Sequence, residues 1–147
     1  MYIISACLAG VNCRYDGGNN FEPHIVKLLN EGKAILVCPE QLGGMTTPRL
    51  PCEIVGDNYG SKKVVNIEGK DFTKEFLKGA EETLKIAKLI GAKGAILKAR
   101  SPSCGKGQVY DGTFKKRLVK GNGITADLLE KNCIKVYTEE DNIDDIK

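Results

Sequence analysis

Four short apolar runs punctuate the chain: "YIIS" at 2–5, "AILVC" at 34–38, "GAILK" at 94–98 and "IKVYT" at 134–138. Runs of this length, rich in Ile, Val and Leu, predict buried strands, and the last, which alternates more, also reads as extended. Between them the apolar spacing becomes helical. In "EPHIVKLLNEG", Ile25, Leu28 and Leu29 share one face and Gly32 is placed to stop the helix. The clearest helix is "DFTKEFLKGAEETLKIAKLIGA" (71–92). There Asp71 or Thr73 is the expected cap, Phe72, Phe76, Leu77, Leu84, Ala87 and Leu89 the apolar face, and Gly91 the end. "GITADLLEKN" predicts a shorter helix before the last strand. Strands alternating with helices predict an α/β layer with a parallel sheet and right-handed crossovers. One stretch breaks the alternation. Residues 47–71, with two prolines and several glycines, read as a loop and then a hairpin, Glu53–Val55 against Lys63–Ile67.

Composition narrows the class without naming a chemistry. A chain of 147 residues is read as a single domain, 1–147, large enough to bury a real core. No apolar stretch approaches the length needed to cross a bilayer. The start, "MYIISA", has no basic segment ahead of an apolar core, so the expectation is a cytoplasmic protein. The net charge of +3 is too weak to argue for nucleic acid by itself. "FKKRLVKG" (114–121) is locally basic and "EEDNIDDIK" acidic, and both read first as solvated faces. The basic run can also attract the backbone of RNA. With no Trp and 6% aromatics, stacking platforms for single strands are sparse.

The six cysteines change the picture. In a reducing compartment they are poorly explained by disulfides, which leaves buried thiols or a metal or cluster site. Cys7 follows the first predicted strand, Cys38 ends the second and Cys104 follows the third. In an open parallel sheet the loops at the carboxyl ends of the strands share one edge, where ligands bind, so three thiols far apart in sequence converge there. Cys133 precedes the last strand and belongs to the opposite edge, as a structural cysteine. Cys13 and Cys52 lie in loops bordering the site, each a spare thiol or a fourth ligand.

Thiolates without a CxxC pair suit an iron–sulfur cluster or zinc. Structural zinc takes four ligands, often in close pairs, and the single histidine, His24, sits at a helix start as a surface or capping residue. A cluster held by three cysteines leaves one iron open to water or substrate. Polar groups gather near the same edge. Glu40, just beyond Cys38 and Pro39, is either a surface carboxylate or a general base on water. Ser101 and Ser103, flanking Pro102, form a turn or hydrogen-bond a substrate. Arg14 in "CRYDGG" holds an anion or carbonyl, or simply pairs with Asp16.

Three segments in this order, "SACLAGVNCRYDGG", "VCPEQLGGMTTPRLPCEI" and "LKARSPSCGKG", together with "GNGITADLLEKN", resemble the thiouracil desulfurase family. The resemblance implies a cytoplasmic, Rossmann-like three-layer α/β enzyme with a small, mainly parallel sheet of about four core strands plus a β-hairpin excursion. It implies an oxygen-sensitive 4Fe–4S cluster, easily lost in air, on Cys7, Cys38 and Cys104. It makes Glu40 the acid/base residue and Ser101 the substrate-contacting serine; Arg14 and Ser103 stand beside them as substrate-binding candidates on the residue reading above. The expected reaction removes sulfur from 2-thiouracil, or a related thiolated base, to give uracil and sulfide without net redox change. Two readings stand beside it: a desulfurase acting on thiolated RNA, with the basic run on phosphate, and a non-catalytic zinc or iron–sulfur carrier or sensor.

Overall fold

The computed structural model describes residues 1–56 and 62–146. Four parallel strands form the central sheet: β1 (Tyr2–Ser5), β2 (Ala34–Val37), β5 (Gly94–Leu97) and β8 (Lys135–Thr138), in the spatial order β2-β1-β5-β8. Their registers align Ser5 with Val37 and Leu97 with Thr138, so all four carboxyl ends finish together along one edge. These are the four runs expected from the sequence, each within a residue.

Alternation along each strand fills two cores. Ile3, Val37, Ala95, Leu97 and Val136 face one side and pack with Ala87 of α3 (Thr73–Leu89) and with Ala126 and Leu129 of α4 (Ile124–Lys131). Ile4, Ala34 and Ile96 face the other, against Leu8, Ile25 and Leu28 from the short 3-10 turn Ala6–Ala9 and from α1 (Pro23–Asn30). The result is three layers of helix, sheet and helix, and burying each large aliphatic side chain contributes about 2 kcal/mol.

The long helix α3 differs from expectation in its apolar face. Phe76, Ala80, Thr83 and Ala87 are buried, whereas Leu77 is 48% and Leu89 80% exposed. The stripe is narrower because α3 meets its neighbour through small residues. A methyl group added at Gly79 would land on the carbonyl oxygen of Pro39, and one at Gly43 on that of Glu75. Pro39 belongs to α2 (Pro39–Leu42), one turn of helix that follows β2, so α2 and α3 touch backbone to backbone. At the start of α3, Asp71 accepts the N–H of Thr73 at 2.7 Å, while the Thr73 hydroxyl oxygen accepts the N–H of Val64.

Two antiparallel hairpins leave the sheet. β3 (Cys52–Val55) pairs with β4 (Lys63–Asn66) as expected, and the turn joining them, 57–61, lies outside the described residues. The second, β6 (Gln108–Tyr110) with β7 (Leu118–Lys120), was not expected, because Leu118–Lys120 is exposed along its whole length and carries no strand alternation.

Candidate active site

A cleft of about 980 Å³ opens over the carboxyl-end edge of the sheet. Cys7, Cys13, Cys38, Cys52 and Cys104 all line it, and all are free thiols. The convergence follows from topology. Cys7 sits in the turn that leaves β1, Cys38 is the residue between β2 and α2, and Cys104 lies in the loop after β5. Among the described residues, no three Cys, His, Asp or Glu side chains are arranged around a single metal ion. The donor set is what an iron–sulfur cluster takes, namely cysteine thiols on separate loops of one concave floor. His24 is exposed on α1, 3.6 Å from Glu22, and lies outside the cleft lining.

The thiols differ in how readily they ionise. Cys13 is buried and within thiol–thiol range of both Cys7 and Cys38. A hydrogen bond from Cys13 brings Cys38 down to about 7 and lowers Cys7, and the same contacts push Cys13 well above the ordinary thiol range. Cys52 is held up at about 11, mainly by burial and then by the nearby Glu40. Burial also raises Cys104, against the hydrogen bond it receives from Ser5 at 3.3 Å. Ser5 accepts the N–H of Lys98 at 3.0 Å, so a buried serine at the end of β1 holds both the β5 exit and Cys104.

The Cys104 loop explains the sequence "SPSCG". Ser101 Oγ accepts the N–H groups of Ser103 and Cys104 at 3.1 and 3.0 Å and lines the cleft, with its own hydroxyl proton left to donate. The carbonyls of Pro102 and Ser103 accept the N–H groups of Ile124, Thr125 and Ala126, the donors that the first turn of α4 cannot satisfy internally. Ser103 is therefore not brought to the cleft. It is 1% exposed and its Oγ bonds Thr125 Oγ at 2.8 Å, which fastens the loop to α4.

Glu40 reaches the cleft from the first turn of α2. Its Oε2 is held by Arg49 Nε at 2.7 Å and Nη2 at 2.6 Å. Burial lifts its carboxyl above the usual range, and Arg49 opposes that lift. Arg49 was missed in the sequence, where it appears only as a residue after Pro48. Arg14 does stand at the rim, but its guanidinium forks onto both Asp16 oxygens at 2.7 and 2.6 Å and also donates to the Asn19 carbonyl and to Asn20 Oδ1. It acts as a brace for the 14–20 loop. Tyr15 and Phe21 are exposed at the mouth, and Phe114 joins them from the loop between β6 and β7.

That loop hangs on a second buried carboxylate that the sequence did not flag. Glu53 Oε1 accepts the N–H groups of Gly112 at 2.9 Å and Phe114 at 3.2 Å. On the far wall, Lys98 pairs with Glu139 at 3.0 Å and Arg100 with Glu140 at 3.0 Å, which ties the β5 and β8 exits together.

Comparison with known proteins agrees with this geometry. The chain is 43% identical over 146 residues to the uncharacterized protein YbbK of Bacillus subtilis (strain 168), covering 96% of this chain and 97% of that one. Among solved structures it is similar to TudS, a 4Fe–4S-dependent thiouracil desulfidase, with 40% identity and a TM-score of 0.89 over 98% of this chain and 93% of that one. The family model described as 2-thiouracil desulfurase matches residues 2–141, almost the whole thiol-lined α/β unit, and the chain belongs to that family.

Proposed function

We propose that the protein is a 4Fe–4S-dependent, non-redox desulfurase that converts 2-thiouracil, or a closely related thiolated base, and water into uracil and hydrogen sulfide. The observation that carries this reading is the meeting of Cys7, Cys38 and Cys104 with Glu40 at one edge of the sheet. Family membership and the similarity to TudS support it.

Cys7, Cys38 and Cys104 would hold the cluster, with Cys13 against two of them. A cluster bound by three thiolates supplies an iron with an open position, a Lewis acid with affinity for soft sulfur. The chain's own groups do the rest. Glu40 Oε2 is clamped by Arg49, which leaves Oε1 as the oxygen that takes a proton from water as the water attacks the thiocarbonyl carbon. Ser101 donates its hydroxyl to the exocyclic carbonyl oxygen of the base and orients it. Tyr15, Phe21 and Phe114 present apolar faces to a flat ring at the mouth. The balance is simple: the C=S bond becomes C=O, both water protons end on sulfide, and no electrons are exchanged. Among the described residues no helix is long and apolar enough to cross a membrane. We place the enzyme in the cytoplasm, where six free thiols are chemically at home.

The test is anaerobic cluster reconstitution with iron and sulfide quantitation, followed by incubation with 2-thiouracil in the absence of reductant. Uracil and sulfide should appear in equal amounts. Glu40→Gln should keep its iron and lose turnover by about 10²- to 10⁴-fold, the usual worth of a general base. A loaded protein that leaves 2-thiouracil intact would sink the substrate, and full activity in Glu40→Gln would sink the role of Glu40.

A further inference from the structure

Arg49 is the most heavily committed side chain in the cleft. Four of its five guanidinium N–H donors make hydrogen bonds, and Nη2 also forms an ion pair with Glu40. Nε donates to Glu40 Oε2 at 2.7 Å, Nη2 lies 2.6 Å from the same oxygen as an ion pair, and Nη2 donates to the Cys13 carbonyl at 3.1 Å. The two Nη1 hydrogens go to the Thr46 carbonyl at 3.1 Å and to Thr47 Oγ1 at 3.0 Å. Its main-chain N–H adds a bond to the Tyr15 carbonyl at 2.7 Å. The Arg49 side chain is 7% exposed and that of Glu40 16%.

A planar, delocalised cation held by four hydrogen bonds and an ion pair has one orientation available. It fixes Glu40 through a single oxygen, so the carboxylate cannot turn without breaking the Nε hydrogen bond and the Nη2 ion pair. It also joins α2 to the Cys13–Tyr15 loop, so the proton-accepting oxygen and the loop beside the thiols are referred to the same rigid group. A salt bridge serving stability alone has no need of this asymmetry, and buried ion pairs are weak stabilisers in any case.

We propose that Arg49 is a positioning residue for the desulfuration: it acts through Glu40, holding Oε2 so that Oε1 faces the bound substrate. This rests on the reading of Glu40 given above. Lysine keeps the charge but cannot reproduce the fork, so Arg49→Lys is the informative variant. Displacing a catalytic group by an ångström costs about 100-fold, and that fall in kcat is expected for Arg49→Lys with iron content unchanged and KM for 2-thiouracil within about threefold.

The decisive readout is a double-mutant cycle. In a Glu40→Gln background, Arg49→Lys should cost nothing further, because the group it positions is gone. A structural role would instead multiply the two losses, and that result overturns the proposal, as does an iron-loaded Arg49→Lys enzyme with wild-type kcat. Should Arg49→Lys fail to load iron, Thr47→Val takes its place. It frees one Nη1 hydrogen and leaves the ion pair, and should lower kcat about three- to tenfold, again only when Glu40 is present. Unchanged kcat in Thr47→Val overturns the proposal. If Glu40→Gln alone retains turnover, both readings fall together. If only the Arg49 arm fails, the role of Glu40 stands.

Discussion

At the amino-end edge of the sheet, three helices hand over to their strands in the same way. After α1, Gly32 donates to the Leu29 carbonyl and Lys33 to that of Leu28. After α3, Gly91 donates to Lys88 and Ala92 to Ala87. After α4, Cys133 donates to Glu130 and Ile134 to Leu129. All three turn residues have positive φ, at 70°, 62° and 63°. Each is a Schellman motif, the standard way to satisfy the last carbonyls of a helix. At the carboxyl-end edge no two exits are alike: a 3-10 turn with Cys7, one turn of helix with Cys38 and Glu40, a serine-braced loop with Cys104, and a pair of glutamates bonded to Lys98 and Arg100. Repetition marks the edge that only has to fold. Diversity marks the edge where a substrate has to be met by different groups from different directions.

The comparison can be broken most severely at the α2–α3 contact, which sets where Cys38 and Glu40 stand. Gly79→Ala forces a methyl group onto the Pro39 carbonyl. A loss of about 3 kcal/mol is expected, seen as a lower denaturant midpoint, together with loss of iron binding. Wild-type stability and iron content would mean that α2 is not held by this contact. A smaller effect belongs to Glu53. Glu53→Ala strips the acceptor from the Gly112 and Phe114 N–H groups, at a cost of about 1–2 kcal/mol. Hydrogen exchange at those two amides should speed up while the central sheet stays protected, and equal protection would detach Glu53 from the loop.

The smallest changes sharpen the comparison at the other edge. Cys133 occupies a left-handed position filled by glycine in the two equivalent turns, and a side chain there costs about 1 kcal/mol. Cys133→Gly should therefore stabilise the fold by about 1 kcal/mol, and Gly91→Ala should destabilise it by about as much. Both should leave iron content and turnover untouched. A loss of iron in Cys133→Gly would show that this thiol is not merely structural.

Legibility tracks how local the determinant is. The four core strands and three longer helices were readable because buried runs and helical spacing are properties of neighbouring residues. The hairpin of β6 and β7 was not, because Leu118–Lys120 is exposed and held by pairing with a distant strand. Leu77 and Leu89 were placed on the apolar face of α3 by their hydrophobicity, yet the residues fully buried between them are Gly79, Ala80, Thr83 and Ala87, with Leu84 and Ile86 packed beside that stripe. Of the two serines in "SPSCG", only the N-terminal turn of α4, twenty residues on, decides which is buried.

By itself the sequence determined the strand and helix order, and through it the edge on which Cys7, Cys38 and Cys104 meet, because parallel topology sends every strand exit the same way. It could not determine the partner of each polar group. Ser5 on Cys104, Ser103 on Thr125 and Glu53 on the 112–114 loop are pairings across tens of residues, and Arg49 reaches Glu40 from nine residues on, beyond the end of α2. A buried charge or hydroxyl must find a partner, but which one it finds is settled only when the elements pack.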